Sequence, residues 1–101
     1  MFDKLGQAKQ MAEGVKSKLD TIEVEGEAGN GKVKVIATAN RKVKEISIAD
    51  DLLKTENKEE LQDLLVVATN RALETAENVS ESEMRAAMSS MMPGLSGLFG
   101  K

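Results

Sequence analysis

Residues 21–48, TIEVEGEAGNGKVKVIATANRKVKEISI, decide how this chain is built. Thr21-Ile22-Glu23-Val24-Glu25 alternates polar and apolar residues, the period-two pattern of a half-buried strand. Gly26 to Gly31 follows as a glycine-rich turn, and its Asn30-Gly31 step favours the positive φ angles of a hairpin. Lys32 to Ala39 reads as a second strand with Val33, Val35 and Ala37 on one face. Asn40-Arg41 predicts a second tight turn, and Val43 to Ile48 a third strand with Ile46 and Ile48 pointing inward. Three strands joined by short links form an antiparallel meander. Ile36 and Val43 fall on the otherwise polar face, either as ordinary surface residues or as contacts to a second subunit.

Helical periodicity flanks the meander on both sides. From Phe2 to Leu19 the apolar residues Phe2, Leu5, Ala8, Ala12, Val15 and Leu19 recur at spacings of three and four, an amphipathic helix. After Asp50-Asp51-Leu52-Leu53, Asn57 is placed to cap a last helix, with Glu59, Glu60 and Asp63 near its positive N-terminal end. Its apolar stripe is Leu61, Leu64, Leu65, Ala68, Ala72, Ala76 and Val79, and the pattern runs to about Met92 before Pro93-Gly94 stops it. Ser80 and Glu83 form a capping-box pattern, so a break near Asn78 is the alternative to one continuous helix. A helix of some 30 residues spans about 45 Å. It must project from a compact domain of this size, whose radius of gyration is only about 13 Å. A projecting apolar stripe needs cover, and a second copy is the simplest cover; Leu61 and Leu65 join Ile36 and Val43 as candidate interface residues. The fold class is α+β, in the order α-β-β-β-α, with one domain at 1–92 and a Pro/Gly tail at 93–101.

Composition excludes most chemistry. With 101 residues, no Cys and no His, the chain has no thiol nucleophile, disulfide, soft-metal site or imidazole base. Its glycines form no phosphate-binding fingerprint, and Asp50-Asp51 and Glu59-Glu60 suit capping and solvation better than acid–base work. No enzyme, cofactor, metal or small-molecule substrate is expected. The N-terminal helix lacks the continuous apolar run of a signal peptide, and a cytoplasmic location with no membrane partner is expected.

The formal charge of −3 is unevenly spread: residues 1–49 carry nine basic and seven acidic groups (+2), residues 50–101 five and ten (−5). A polyanion should therefore meet the first half. There stand Lys4, Lys9, Lys16 and Lys18 on the first helix, Lys32 and Lys34 on the second strand, and Arg41, Lys42 and Lys44 around the following turn. The alternative is that Glu23, Glu25 and Glu45 pair with these cations across the sheet. No aromatic residue is present in the sheet, which disfavours recognition of unpaired bases by stacking. Met84, Met88 and Met91 share one helical face, where packing and an adaptable binding surface are both open.

In order and spacing these segments resemble the YbaB/EbfC family of bacterial nucleoid-associated proteins. The likeness is carried by Ile22-Glu-Val-Glu-Gly-Glu-Ala-Gly-Asn-Gly-Lys-Val-Lys-Val, by Val43-Lys-Glu-Ile-Ser-Ile-Ala-Asp-Asp-Leu-Leu, and by Lys58 to Ala72 with its Asn70-x-Ala72 step. The resemblance implies a tweezer-like homodimer whose joined sheets form a body and whose helices project as arms. It implies association with the nucleoid and binding of double-stranded DNA with low or variable sequence specificity, with effects on nucleoid organisation and gene expression. It points to Lys4, Lys9, Lys16 and Lys18 as DNA contacts. The acidic second arm, with Glu74, Glu77, Glu81 and Glu83 against Arg71 and Arg85, departs from that picture. A small acidic protein-interaction module or chaperone working through the long helix is the alternative.

Overall fold

The computed structural model describes residues 2–91, with the side chains of residues 2–5, 7, 8 and 91 left out. Helix α1 spans Phe2–Leu19, strands β1, β2 and β3 span Glu23–Ala28, Val33–Thr38 and Val43–Ile48, and helix α2 spans Lys58–Met91. Two short 3₁₀ turns, Asp50–Leu53 and Thr55–Asn57, connect β3 to α2. The sheet is antiparallel in the order β1-β2-β3, as the period-two reading predicts.

Valines and small residues set the core. Val33, Val35 and Ala37 of the central strand are fully buried beneath Ala68, Ala72 and Ala76 of α2, joined by Val24, Ala28 and Leu52. An alanine stripe lets helix and sheet approach closely, and at Gly26 the approach is closest. A Cβ there would collide with the Ala68 carbonyl oxygen and the Ala72 amide nitrogen. Gly26 therefore belongs to β1, inside the helix–sheet contact, and not to the turn. The turn proper is Gly29–Lys32, closed by the Lys32 amide on the Gly29 carbonyl at 3.2 Å, with positive φ at Gly29, Asn30 and Gly31. Arg41 also takes positive φ, in the second turn.

The third strand departs from expectation. Ile46 pairs with Val35 and Ile48 with Val33, so both stand on the core face. Helix α2 crosses β1 and β2 and leaves β3 almost uncovered, so Ile46 stays 47% exposed. The register slips between Ile36 and Ala37, pairing Ala37 with Val43 and Ile36 with Glu45. A bulge of this kind puts one extra residue on β3. It turns Val43 onto the core face beside Ala37, where it is 45% exposed, and leaves only Ile36 on the polar face.

Helix α2 is continuous through Asn78 and Ser80, 34 residues in all, which at 1.5 Å per residue is about 51 Å. The Asn57 side chain does not cap it; its Nδ2 donates to the Asp51 carbonyl at 2.6 Å, because a 3₁₀ turn already leads the chain into the helix. The distal half of α2 pairs with α1 as an arm. Val15, Leu19 and Ala39 form its small buried cluster, with Ile22, Val79 and Ala87 against them. On α1 the stripe facing α2 runs Leu19, Val15 and half-buried Met11, while Ala12 is exposed. The result is elongated, 62 × 31 × 16 Å with a radius of gyration of 18.8 Å. The proposed boundary at residue 92 and the tail 93–101, with Leu98 and Phe99, lie outside the described residues.

Candidate nucleic-acid interface

The nine candidate cations sort into three groups once distant segments are brought together. Five are in ion pairs. Lys18 Nζ lies 2.7 Å from Glu83, Lys32 Nζ 2.8 Å from Asp51, and Lys44 Nζ 2.6 Å from Glu23. Arg41 stands 3.8 Å from Glu77 and Lys42 3.9 Å from Asp20. The hydrogen bond from Lys44 to Glu23 holds the lysine above its ordinary pKa. The bond from Lys32 to Asp51 does the same for Lys32 and pulls the Asp51 carboxyl down. A cation already facing a carboxylate has less net field to offer a phosphate. Of the glutamates expected to compensate the sheet, Glu23 does so, and Asp51 takes Lys32 from outside it.

Lys9, Lys16 and Lys34 are exposed and make no ion pair among the described residues. Lys9 and Lys16 lie on α1 seven residues apart, two turns along one face, so both point the same way from the arm. Lys34 lies on the polar face of the sheet, directly between Glu27 of β1 and Ser47 of β3. The Lys4 side chain lies outside the described residues. No group of His, Cys, Asp and Glu able to hold a metal is present among the described residues, and no helix is long and apolar enough to cross a membrane.

A second surface is apolar. The uncovered inner face of β3 presents Val43 and Ile46, and Leu53 follows it in the 3₁₀ turn, 62% exposed. The adjoining flank of α2 is located by its contacts. Arg71 reaches the Glu27 carbonyl on the β1 edge at 2.8 Å, whereas Glu77 faces Arg41 in the β2–β3 turn. Three helical turns before Glu77 on that flank stands Val66, exposed like the strand residues. Of the four residues expected at a subunit contact, Val43 belongs to this surface. Ile36 is half-buried on the opposite face of the sheet, and Leu61 and Leu65 pack on the chain's own core. Ile46, Leu53 and Val66, exposed on the same apolar surface, are not among those four. An inward-facing residue on an uncovered edge strand looks in sequence like any core residue.

Residues 1–91 match the sequence profile of the YbaB/EbfC DNA-binding family. The chain belongs to that family. Among similar sequences, a nucleoid-associated protein of Flavobacterium johnsoniae is 43% identical over 98 residues, covering 97% of this chain and 91% of its own. One from Neisseria meningitidis is 38% identical over 110 residues, covering 98% and 99%. The crystal structure of an uncharacterized protein from Helicobacter pylori superposes with a TM-score of 0.73 at 24% identity, covering 88% of this chain and 90% of that one. That likeness concerns the fold, and it places helix, meander and long helix in the same order as the YbaB/EbfC resemblance implies.

Proposed function

We propose that this YbaB/EbfC protein acts as a homodimer that binds double-stranded DNA through the cations of its α1 arms. Sequence preference would be low or variable, and its place is the cytoplasmic nucleoid, where it affects nucleoid organisation and gene expression. The observation that carries the reading is the pair Lys9 and Lys16, exposed on one face of a projecting helix, neither in an ion pair among the described residues. Family membership supports DNA as the polyanion. The apolar surface of Val43, Ile46, Leu53 and Val66 supports the dimer, since an uncovered inner strand face is the kind of surface a second copy buries.

Affinity of this kind comes from phosphates. Two lysines on each of two arms neutralise four phosphates, which gives log K a slope of about −3.6 against log salt. Binding is therefore weak and sensitive to salt. Lys9→Glu together with Lys16→Glu abolishes the gel shift of a random duplex at low salt, with the fold and the sedimentation of the dimer unchanged. An unaltered shift assigns the DNA surface elsewhere, and a folded monomer in sedimentation removes the two-armed arrangement.

Exposed Met84 and Met88 on the distal half of α2 favour a second reading, a protein-interaction surface, in place of the packing role open to them in sequence. A stoichiometric partner recovered after nuclease treatment, with no duplex binding at low salt, would support that reading.

A further inference from the structure

We infer that the DNA affinity of this protein is held down by three carboxylates at the root of the arm, Asp20, Glu77 and Glu83, each occupying a cation that a phosphate would otherwise take. This rests on the DNA-binding reading above and specifies what limits it. The three pairs share one neighbourhood. Asp20 follows Lys18 by two residues, Arg41 and Lys42 are adjacent in the β2–β3 turn, and Glu77 and Glu83 lie six residues apart on α2, a rise of about 9 Å. Three cations meet three carboxylates, so a patch that would continue the α1 surface toward the body carries no net charge.

The cations remain within reach of a ligand. Lys18, Arg41 and Lys42 are 61%, 61% and 69% exposed, so a phosphate can approach without disturbing the core. Solvent-exposed pairs are worth little, and at 3.8 and 3.9 Å two of these lie beyond hydrogen-bond contact. Exchange of carboxylate for phosphate is therefore nearly neutral, which makes the patch a reserve whose contribution is set by its acidic partners. Lys32 and Lys44 differ, since each is hydrogen-bonded to its partner; Lys32 lies at the far end of β2, and Lys44, two residues from Lys42, borders the cluster without belonging to it. Asp20 has a second task, since its Oδ1 accepts from Asn40 Nδ2 at 2.8 Å. Glu77 and Glu83 are the cleaner probes.

Fluorescence titration of a random-sequence duplex across a salt series tests this on the full-length protein. Glu77→Gln and Glu83→Gln each tighten binding roughly threefold, the scale of one exposed pair. The salt slope steepens by about 0.9 for each phosphate newly engaged. Glu74→Gln removes the same charge from an exposed α2 position outside any ion pair among the described residues, and it leaves the slope unchanged. In a Lys18→Gln background the gain from Glu83→Gln disappears, the signature of direct coupling. Equal gains from Glu74→Gln, or a Glu83→Gln gain that survives Lys18→Gln, would mean a general field effect and overturn the inference. Duplex binding by the wild type with no gain in either variant rejects the inference alone. No duplex binding at any salt rejects the DNA reading and the inference with it.

Discussion

In the body, α2 meets the sheet through Ala68, Ala72 and Ala76, all fully buried over a strand of buried valines. In the arm the same helix meets α1 through little more than Val79 and Ala87, against Val15 and Leu19. One helix thus serves two environments. Its first half is held by close backbone approach and its second by a thin seam with charges along both sides. Stability belongs to the body, and the cations proposed to meet DNA belong to the arm and its root. Local opening free energies follow buried apolar contact, so the arm should open well before the body does.

The contrast breaks most severely at Gly26. A Cβ there meets backbone atoms of Ala68 and Ala72, which no rotamer change can relieve. Gly26→Ala should lower stability by about 3 kcal/mol or more, in the range of severe overpacking, because α2 must lift off the sheet. Urea unfolding followed by circular dichroism measures it. A loss below about 1 kcal/mol would mean that α2 slides along the sheet at small cost, and that the alanine stripe does not fix its position.

Gly26 also marks how far the sequence alone could be read. The period-two alternation of β2, the Asn30-Gly31 turn and the switch to a 3.6 period were legible because each is local. Gly26 looked like part of the turn, since a glycine admitted for a distant helix cannot be told from one admitted for a positive φ. Val43 fell on the wrong face because its position follows from a bulge, and nothing in Arg41 to Ile48 announces the extra residue. The nine cations were visible, but their pairing was not. Glu83, Glu77, Asp20 and Asp51 all lie far along the chain from the residues they hold, Lys18, Arg41, Lys42 and Lys32. Only the folded topology sorts Lys9, Lys16 and Lys34 from the five paired cations.

Gly14 is the arm's counterpart to Gly26 and should respond in the opposite sense. It sits within α1 and lines a groove of about 370 Å³ with Met11, Ala86 and Ala87, and a Cβ added there meets nothing within 4 Å. A mid-helix glycine costs about 1 kcal/mol relative to alanine through backbone entropy. Gly14→Ala should therefore stabilise the arm by up to about that amount, with slower amide exchange across α1 and little change in body amides. Faster exchange in α1 would show that the groove is filled when the protein is assembled, and that the glycine makes room for the occupant.

The smallest effect concerns the body's own surface charge, the exposed pair of Lys32 and Asp51. Its hydrogen bond depresses the Asp51 carboxyl and raises the Lys32 ammonium, so the pair contributes only while both are ionised. On the acid side, a depressed carboxyl adds stability above its unfolded pKa and loses it as pH falls through the folded value. On the alkaline side, a raised lysine adds stability below its unfolded pKa and loses it as pH rises through the folded value. Lys32→Gln should thus lie slightly below the wild type in urea midpoint across the neutral range. The two curves should converge below the carboxylate range and again above the lysine range. A constant gap at all pH values would assign the effect to packing of the lysine stem, and would place this pair with the alanine contacts of the body and not with the exchangeable charges of the arm.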